Sequence, residues 1–453
     1  HQQADAGAKY PLQLAVPHRA QRGPLDHRQA AHRHPVGFLQ LQQLGHGEGQ
    51  ADEDADQQRV EDHEIEAGDR RLGRLGRLQT QRVEAVEEAD QEGQQGAAVQ
   101  MTLDAGLQNF CTQRLGDESA AAVVIDVTNG DIVAISSSPV FDPNMFVRGI
   151  SGPNYRALLN HDHRPLADKT VQGVYPPGST YKMITLLAGL EAGIINAGSR
   201  FYCPGYLQVA GRRFHCWSRG GHGSVDAIQS LEQSCDVYYY ELAQRVGIER
   251  MSEMARRFGL GMRHDLPMSA VAEGIAPDRE WKRNRHGQEW QVGDSINASI
   301  GQGFVLASPL QLAVMTARLA TGLKVEPRLI RAVNGIPEPS PEFEDMGINP
   351  LNLRTVRMGM DAVMNANRGT ALRSRILTPE WRMAGKTGTS QVRNITAAER
   401  ARGVVRNDQL PWNRRDHALF VCYAPYEAPR YAVSVVVEHG GGGGSVAAPI
   451  GRD

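Results

Sequence analysis

Residues 173–194 read GVYPPGSTYKMITLLAGLEAGI. Two prolines and a glycine deliver the chain to Ser179, after which Met183, Ile184, Leu186, Leu187 and Leu190 form the inner stripe of a helix that Gly193 ends. Lys182 follows Ser179 by one turn, and residues at i and i+3 share a helix face. The serine hydroxyl and the lysine amine are therefore expected to meet at the edge of an apolar surface. Burial and nearby cations disfavour a charged amine, which is what a lysine needs if it is to take a proton from a serine nucleophile.

Two further short patterns follow in order. Ser234–Cys235–Asp236 is Ser-x-Asp in a loop between two helical segments, and Lys386–Thr387–Gly388 lies in a strand-like stretch, AGKTGTS. Each pattern alone is common; the ordered set, each member in its own structural context, is specific. It describes acyl transfer through a serine ester. Ser179 starts a helix, where free N–H groups favour developing negative charge. Its own N–H and one from the strand carrying Thr389 would form an oxyanion hole. Ser234 would relay a proton between Lys182 and a leaving amine, and Lys386 with Thr387 would bind a substrate carboxylate. Gly385 and Gly388 would let a substrate backbone lie against the strand.

From Val99 onward the chain reads as α+β. VQMTLDAGLQNFCTQRLG is a short strand and a helix, and AAAVVIDVTNGDIVAISSS is a hairpin turning at Asn129–Gly130. A helical block follows, containing DVYYYELAQRVGIERMSEMARRFGL, SPLQLAVMTARLATG and LRTVRMGMDAVMNA. The strands RMAGKTGTSQV, HALFVCYAP and RYAVSVVVEHG then close an antiparallel sheet into which that block is inserted.

Residues 1–98 have a different character, dominated by Gln, His, Arg, Asp, Glu, Gly and Ala without sustained periodicity. Such text cannot bury enough apolar surface to offset chain entropy. It is expected to be disordered, or to be a wrong-frame or wrong-strand translation joined to a real domain, with a genuine disordered extension as the alternative. HRQAAHRH within it reads as polar low-complexity sequence and not as a metal site. No run of 18 apolar residues occurs, and the start does not read as a signal peptide. The formal net charge of −2 gives no electrostatic case for nucleic acid or an anionic membrane.

Three of the five cysteines, Cys203, Cys216 and Cys235, fall within the helical block together with His222. Three thiols and one imidazole make a closed tetrahedral zinc ligand set. The spacing matches no common finger, so a disulfide or simple buried thiols stay open on the pattern alone. His215, beside Cys216, competes with His222 as a ligand.

The phrases AVVIDVTNGDIVAISSSPVFDPNMF, GVYPPGSTYKMITLLAGLEAG, SCDVYYYELAQRVGI, ASIGQGFVLASPLQLA, AGKTGTSQV and HALFVCYAP carry a resemblance. From about residue 100 the sequence resembles the transpeptidase domain of class B penicillin-binding proteins, within the group of penicillin-binding protein 2. Asp236 stands where many of these proteins have Asn, although this group often carries Asp. The resemblance implies the penicillin-binding protein and serine β-lactamase-like fold. It also implies a D,D-transpeptidase that cross-links peptidoglycan in cell wall elongation and sets cell shape. Ser179 would attack the D-Ala-D-Ala bond of a stem peptide, and β-lactams would acylate the same residue. Catalytic roles fall on Ser179, Lys182, Ser234, Asp236 and Lys386, and substrate binding on Thr387, Gly388 and Thr389.

The resemblance further implies structural zinc at Cys203, Cys216, His222 and Cys235, with no cofactor needed for the acyl transfer. It implies an inner-membrane protein facing the periplasm, partnered by a SEDS glycosyltransferase, although no anchor or docking pedestal is recognisable before residue 99. The family's last helix is expected to be cut short at Asp453, baring part of the sheet. The rival readings are a serine β-lactamase, for which no Glu-bearing loop of the class A kind is seen, a non-catalytic penicillin-binding sensor, and an inactive fragment.

Overall fold

A computed structural model describes residues 96–453. The expectations for residues 1–95 lie outside the described residues.

The described chain opens with strand β1 (Val99–Met101) and helix α1 (Ala105–Leu115), which Asp104 caps by accepting from the Leu107 N–H. The hairpin read from the sequence follows as β2 (Ala120–Asp126) and β3 (Ile132–Ser138), antiparallel around the Asn129–Gly130 turn. Two short helices, α2 (Asn144–Val147) and α3 (Gly152–Leu159), precede the buried α4 (Lys182–Glu191). Small strands β4 (Phe201–Cys203), β5 (Tyr206–Val209), β6 (Arg212–His215) and β7 (Gly223–Val225) come next. The helical block then runs through α5 (Ala227–Glu232), α6 (Asp236–Val246), α7 (Ile248–Arg257), α8 (Arg279–His286), α9 (Val292–Ala298) and α10 (Pro309–Thr321). After β8 (Ile330–Val333), β9 (Ile336–Pro337) and α11 (Pro350–Asn365) come β10 (Ala384–Ser390), α12 (Ala397–Arg402), β11 (His417–Ala424), β12 (Tyr431–Val437) and α13 (Ala448–Arg452).

The main sheet is five-stranded and antiparallel in the order β10-β11-β12-β2-β3, so the last strands of the chain pair with its first hairpin across the inserted helices. β10 is an edge strand, bonded on one side to β11 with Lys386 opposite Val421 and Thr389 opposite Ala418. β1, β8 and β9 form a separate small sheet.

Burial explains the arrangement. β2 is buried along its whole length and reads as a near-continuous apolar run, and α10, expected to be one-faced, is buried all round from Pro309 to Ala320, with Gln311, Thr316 and Arg318 among its buried residues. Ser308 and Gln311 form a capping box at the start of α10, and Gly322, at φ +77°, ends it. α4 is buried from Lys182 to Leu190, with Met183, Ile184, Leu186 and Leu187 at 0% exposure. Gly247, also at positive φ, breaks the long helical stretch at 236–260 into α6 and α7, a division the periodicity did not reveal.

The second face of the sheet is not bared. A π-helical turn (Gly443–Ala447) and α13 lie over β11 and β12, and Phe420, Val435 and Val437 are buried among Ala447, Ala448 and Ala418. The run of glycines before α13 makes this possible. A Cβ on Gly443 would stand 2.2 Å from the Gly388 carbonyl oxygen and 2.3 Å from that of Leu419, so the chain can cross there only without a side chain.

Candidate active site and cysteine cluster

Three elements deliver the three motifs to one place. Ser179 sits in a 3-10 turn (Gly178–Tyr181) that runs into α4, and not in the α-helix itself. Gly178, at φ +55°, presses against β10: a Cβ there would meet the Thr389 carbonyl oxygen at 2.7 Å. The Gly178 N–H donates to the Gly301 carbonyl at 2.9 Å, and Gln302 Nε2 donates to the Thr389 carbonyl at 3.2 Å. The serine turn, β10 and the GQGF loop are thus locked edge to edge.

The Lys182 amine is fully buried and gives its hydrogen bonds to Ser234 O (2.9 Å), Ser234 Oγ (3.2 Å) and Asp236 Oδ1 (2.6 Å). No hydrogen bond between Lys182 and Ser179 is found among the described residues. The Asp236 carboxylate offers the ammonium a stronger partner than a hydroxyl. From β10, Lys386 Nζ reaches Ser234 Oγ at 3.0 Å and the Thr387 carbonyl at 3.0 Å. The Ser234 hydroxyl therefore stands between two buried amines. Burial, reinforced by the Lys182 charge, holds the Lys386 amine well below the usual lysine range. Burial raises the Asp236 carboxyl, and Lys182 opposes that shift.

Ser234 itself adopts φ +52°, a left-handed conformation uncommon for a residue with a side chain. Its carbonyl is clamped by Lys182 Nζ and by Trp217 Nε1 at 3.0 Å, and the Trp217 N–H donates to Asp236 Oδ2 at 2.9 Å. Trp217 was not singled out from the sequence. Its only signal there is its place directly after Cys216, and the contact depends on the fold of the intervening ribbons. Thr387 shares a 2.7 Å hydrogen bond with Thr370, also unforeseen. Thr389 is the exposed residue of β10, and the free edge of that strand can pair with an extended peptide.

Cys203, Cys216, His222 and Cys235 converge as a second cluster, their donor atoms all within 4.8 Å of one another. Cys203 ends β4, Cys216 follows β6 and His222 precedes β7, all on the paired ribbons β4 with β7 and β5 with β6, while Cys235 is the N-cap residue of α6. Tight Gly205 and Gly221 turns, both at positive φ, fold the ribbons back. His222 Nδ1 lies 3.5 Å from Cys216 Sγ and 3.7 Å from Cys203 Sγ, while the competing His215 is exposed and stacks near Tyr206. All five cysteines are unpaired thiols. Hydrogen bonds from the Cys203 and Cys235 thiols push the Cys216 thiol down. Burial would lower the His222 imidazole, but its thiol contacts raise it to about 9. Such a buried set of soft donors fits a tetrahedral zinc-type ion, whose bonds to sulfur are about 2.3 Å. The cluster touches the catalytic loop twice: Cys235 lies between Ser234 and Asp236, and the Asp236 N–H donates to Cys216 Sγ at 3.4 Å.

An antiparallel sheet with an inserted helical block, a serine turn against its edge strand and a second serine between two buried lysines fit the penicillin-binding protein and serine β-lactamase-like fold. Comparison with known proteins narrows this. The family model described as penicillin binding protein transpeptidase domain matches residues 120–453, and the chain belongs to that family, on its class B, penicillin-binding protein 2 side. The peptidoglycan D,D-transpeptidase MrdA of Haemophilus influenzae is 36% identical over 368 residues, covering 79% of this chain and 55% of its own length. The Escherichia coli K12 protein of the same name is 34% identical over 359 residues, covering 78% and 56%. The chain thus spans about half the length of the curated relatives it matches. The crystal structure of Pseudomonas aeruginosa PBP2 in complex with WCK 5153 matches with a TM-score of 0.71 at 37% identity, covering 79% of this chain and 75% of that one.

Proposed function

We propose that this chain carries a serine D,D-transpeptidase site that cross-links peptidoglycan stem peptides and is acylated by β-lactams. The observation that supports this best is the Ser234 hydroxyl held between Lys182 and Lys386, at the point where the Ser179 turn abuts β10. The relatives named above bear the corresponding activity in their names.

In the proposed reaction a donor peptide ending in D-Ala-D-Ala lies along the free edge of β10, its terminal carboxylate near Lys386, Thr387 and Gly388. Ser179 Oγ attacks the penultimate carbonyl carbon. The charge developing on that oxygen faces the N–H groups of Ser179 and Thr389. The serine proton passes through the cluster of Lys182, Ser234 and Lys386 to the departing D-alanine nitrogen, and Asp236 holds Lys182 in place. An acceptor amine then attacks the ester carbonyl, gives up a proton to the same relay and releases Ser179.

Zinc at Cys203, Cys216, His222 and Cys235 would be structural. It would lock β4 to β7 and β5 to β6, and through Cys216 and Cys235 it would fix the backbone carrying Ser234, Asp236 and Trp217. The family setting is the inner membrane facing the periplasm. No helix among the described residues is long and apolar enough to cross a membrane. The proposed partners are peptidoglycan and, by family, a SEDS glycosyltransferase. The solved complex of penicillin-binding protein 2 with MreC from Helicobacter pylori shows that a relative assembles with another protein. Residues 99–453 would form the transpeptidase unit.

The test is turnover of a synthetic D-Ala-D-Ala peptide with an added amine acceptor. The reading expects a cross-linked product, with one D-alanine released per bond made. A hydrolysed peptide as the sole product would point to a hydrolase, and an acyl-enzyme that never turns over would point to a sensor.

A further inference from the structure

Away from both clusters, two buried side-chain atoms have no hydrogen-bond partner among the described residues: Arg357 Nη2 on α11 and Tyr423 Oη on β11. Buried donors are almost always paired, so each such orphan has a reason. Tyr423 is at 0% exposure, and the Arg357 side chain is half-buried. Burial raises the Tyr423 phenol, and the Arg357 charge opposes that shift. Burial lowers the Arg357 guanidinium from its ordinary value, and the groups that oppose this are Tyr423 and Tyr426, not a carboxylate.

The guanidinium is oriented but not neutralised. Its Nε donates to the Leu319 carbonyl, near the end of α10, at 2.7 Å. Its Nη2 lies against Gly322, where a Cβ would stand 3.7 Å away, so no side chain from that position covers it. The nearby carboxylates are not available. Asp361, one turn further along α11, accepts from Arg382 at 2.7 and 2.6 Å and from Asn365 at 2.8 Å. Glu427, beside Tyr426, is exposed to water. Tyr426 stacks on Tyr423 with ring centres 6.3 Å apart, and the exposed Arg354 adds a further positive charge close to it.

A buried guanidinium without a counter-charge is costly. A water molecule would satisfy the hydrogen bonds and leave the charge uncompensated. We propose that Arg357 and Tyr423 form a binding site for a small carboxylate anion, enclosed by the end of α10, α11 and the end of β11. One carboxylate oxygen takes Arg357 Nη2 and the Tyr423 hydroxyl, and the other takes Nη1, the two-pronged contact that a guanidinium makes with a carboxylate. With Asp361 committed and Glu427 in water, an ammonium on the same ligand would meet only Arg357 and Arg354. The site therefore selects a simple organic acid over an amino acid.

The test melts the full chain at neutral pH in about 0.2 M sodium acetate, sodium chloride or glycine. Acetate is expected to raise the melting temperature by about 2 °C over chloride, and glycine to leave it unchanged. Salts also act on stability without binding, so two variants decide. Arg357→Gln should abolish the acetate increment. Tyr423→Phe gives up no hydrogen bond to the protein, so it should fold as the native chain does and keep about half of the increment. Saturation-transfer NMR on the acetate methyl group should show contact with the native chain and a weaker signal with both variants. An increment that is equal for acetate, chloride and glycine, or one that survives undiminished in Tyr423→Phe, would overturn the site. If Arg357→Gln does not fold, Tyr423→Phe decides alone.

Discussion

The lysine–serine cluster and the cysteine–histidine cluster meet at one loop, residues 234–236, and are held by different means. The first rests on burial: α4 and β10 place Lys182 and Lys386 at 0% exposure within the packed helical block and sheet. The second rests on ribbons of three or four residues, with Tyr202 and Trp217 largely in water. Ribbons that short cannot stabilise themselves by packing. Cys203, Phe214 and Val225 tie them to the core, and a zinc ion on the four donor atoms, if bound as proposed, would fix them further. On the proposed reading the loop that would relay protons has one anchor made by apolar packing and one that zinc ligation would make, and each can be loosened separately.

The largest effect should come from the packed side. Lys386→Met keeps the volume and apolar stem but removes the amine that meets Ser234, and penicillin acylation should slow by about a thousandfold, read by labelling rate, while melting temperature is kept. A change of less than about tenfold would show that the relay runs without Lys386. Loosening the other anchor should cost less. A strong zinc chelator at neutral pH, or Cys203→Ser, should lower acylation by about a hundredfold through misplacement of Ser234 and Asp236, with one zinc per chain measured beforehand and the sheet's amides still protected from exchange. Unchanged acylation after the metal is removed would separate the two clusters. Trp217→Phe removes only the indole donor to the Ser234 and Gln233 carbonyls, and a loss of about fivefold in acylation is expected.

The smallest effect is on pH dependence. His417 packs on Tyr175 and His439, near Glu438 and Arg164, and burial with the His439 charge lowers it from 6.5 to about 4. Between those values the unfolded chain takes up a proton there and the native one does not, so stability drops as pH falls from about 6.5 to about 4 and this contribution is flat below. His417→Gln should flatten the urea-unfolding profile across that window. An unchanged slope would place the acid sensitivity elsewhere, with the cysteine–histidine cluster as the next candidate.

Much of this was legible in the sequence, for reasons that differ by region. The hairpin at Asn129–Gly130 and the helix after Pro176–Pro177–Gly178 announce themselves through turn chemistry and apolar spacing that act over a few residues. The three motifs are short, ordered and chemically unusual. Ser234 was read as a partner of Lys182 from the motif set alone, but the Lys182–Asp236 contact was not, since the two are more than fifty positions apart and only the fold sets that distance. Trp217 was missed because an exposed tryptophan after a cysteine has no local signature. The ribbons around Cys203 and Cys216 are too short for a two-residue periodicity to register. The connection between β10 and β11, residues 391–416, reads as polar loop text, since its order comes from pairs such as Arg393–Glu399 and Asn407–Asp416 and not from apolar pattern.

The most direct test is to treat the full chain with a penicillin and locate the adduct by peptide mass mapping, with Ser179→Ala in parallel. The account predicts one stoichiometric adduct on the peptide bearing Ser179 and none in the variant. Folded protein that takes up no penicillin, or an adduct that persists in Ser179→Ala, would contradict it.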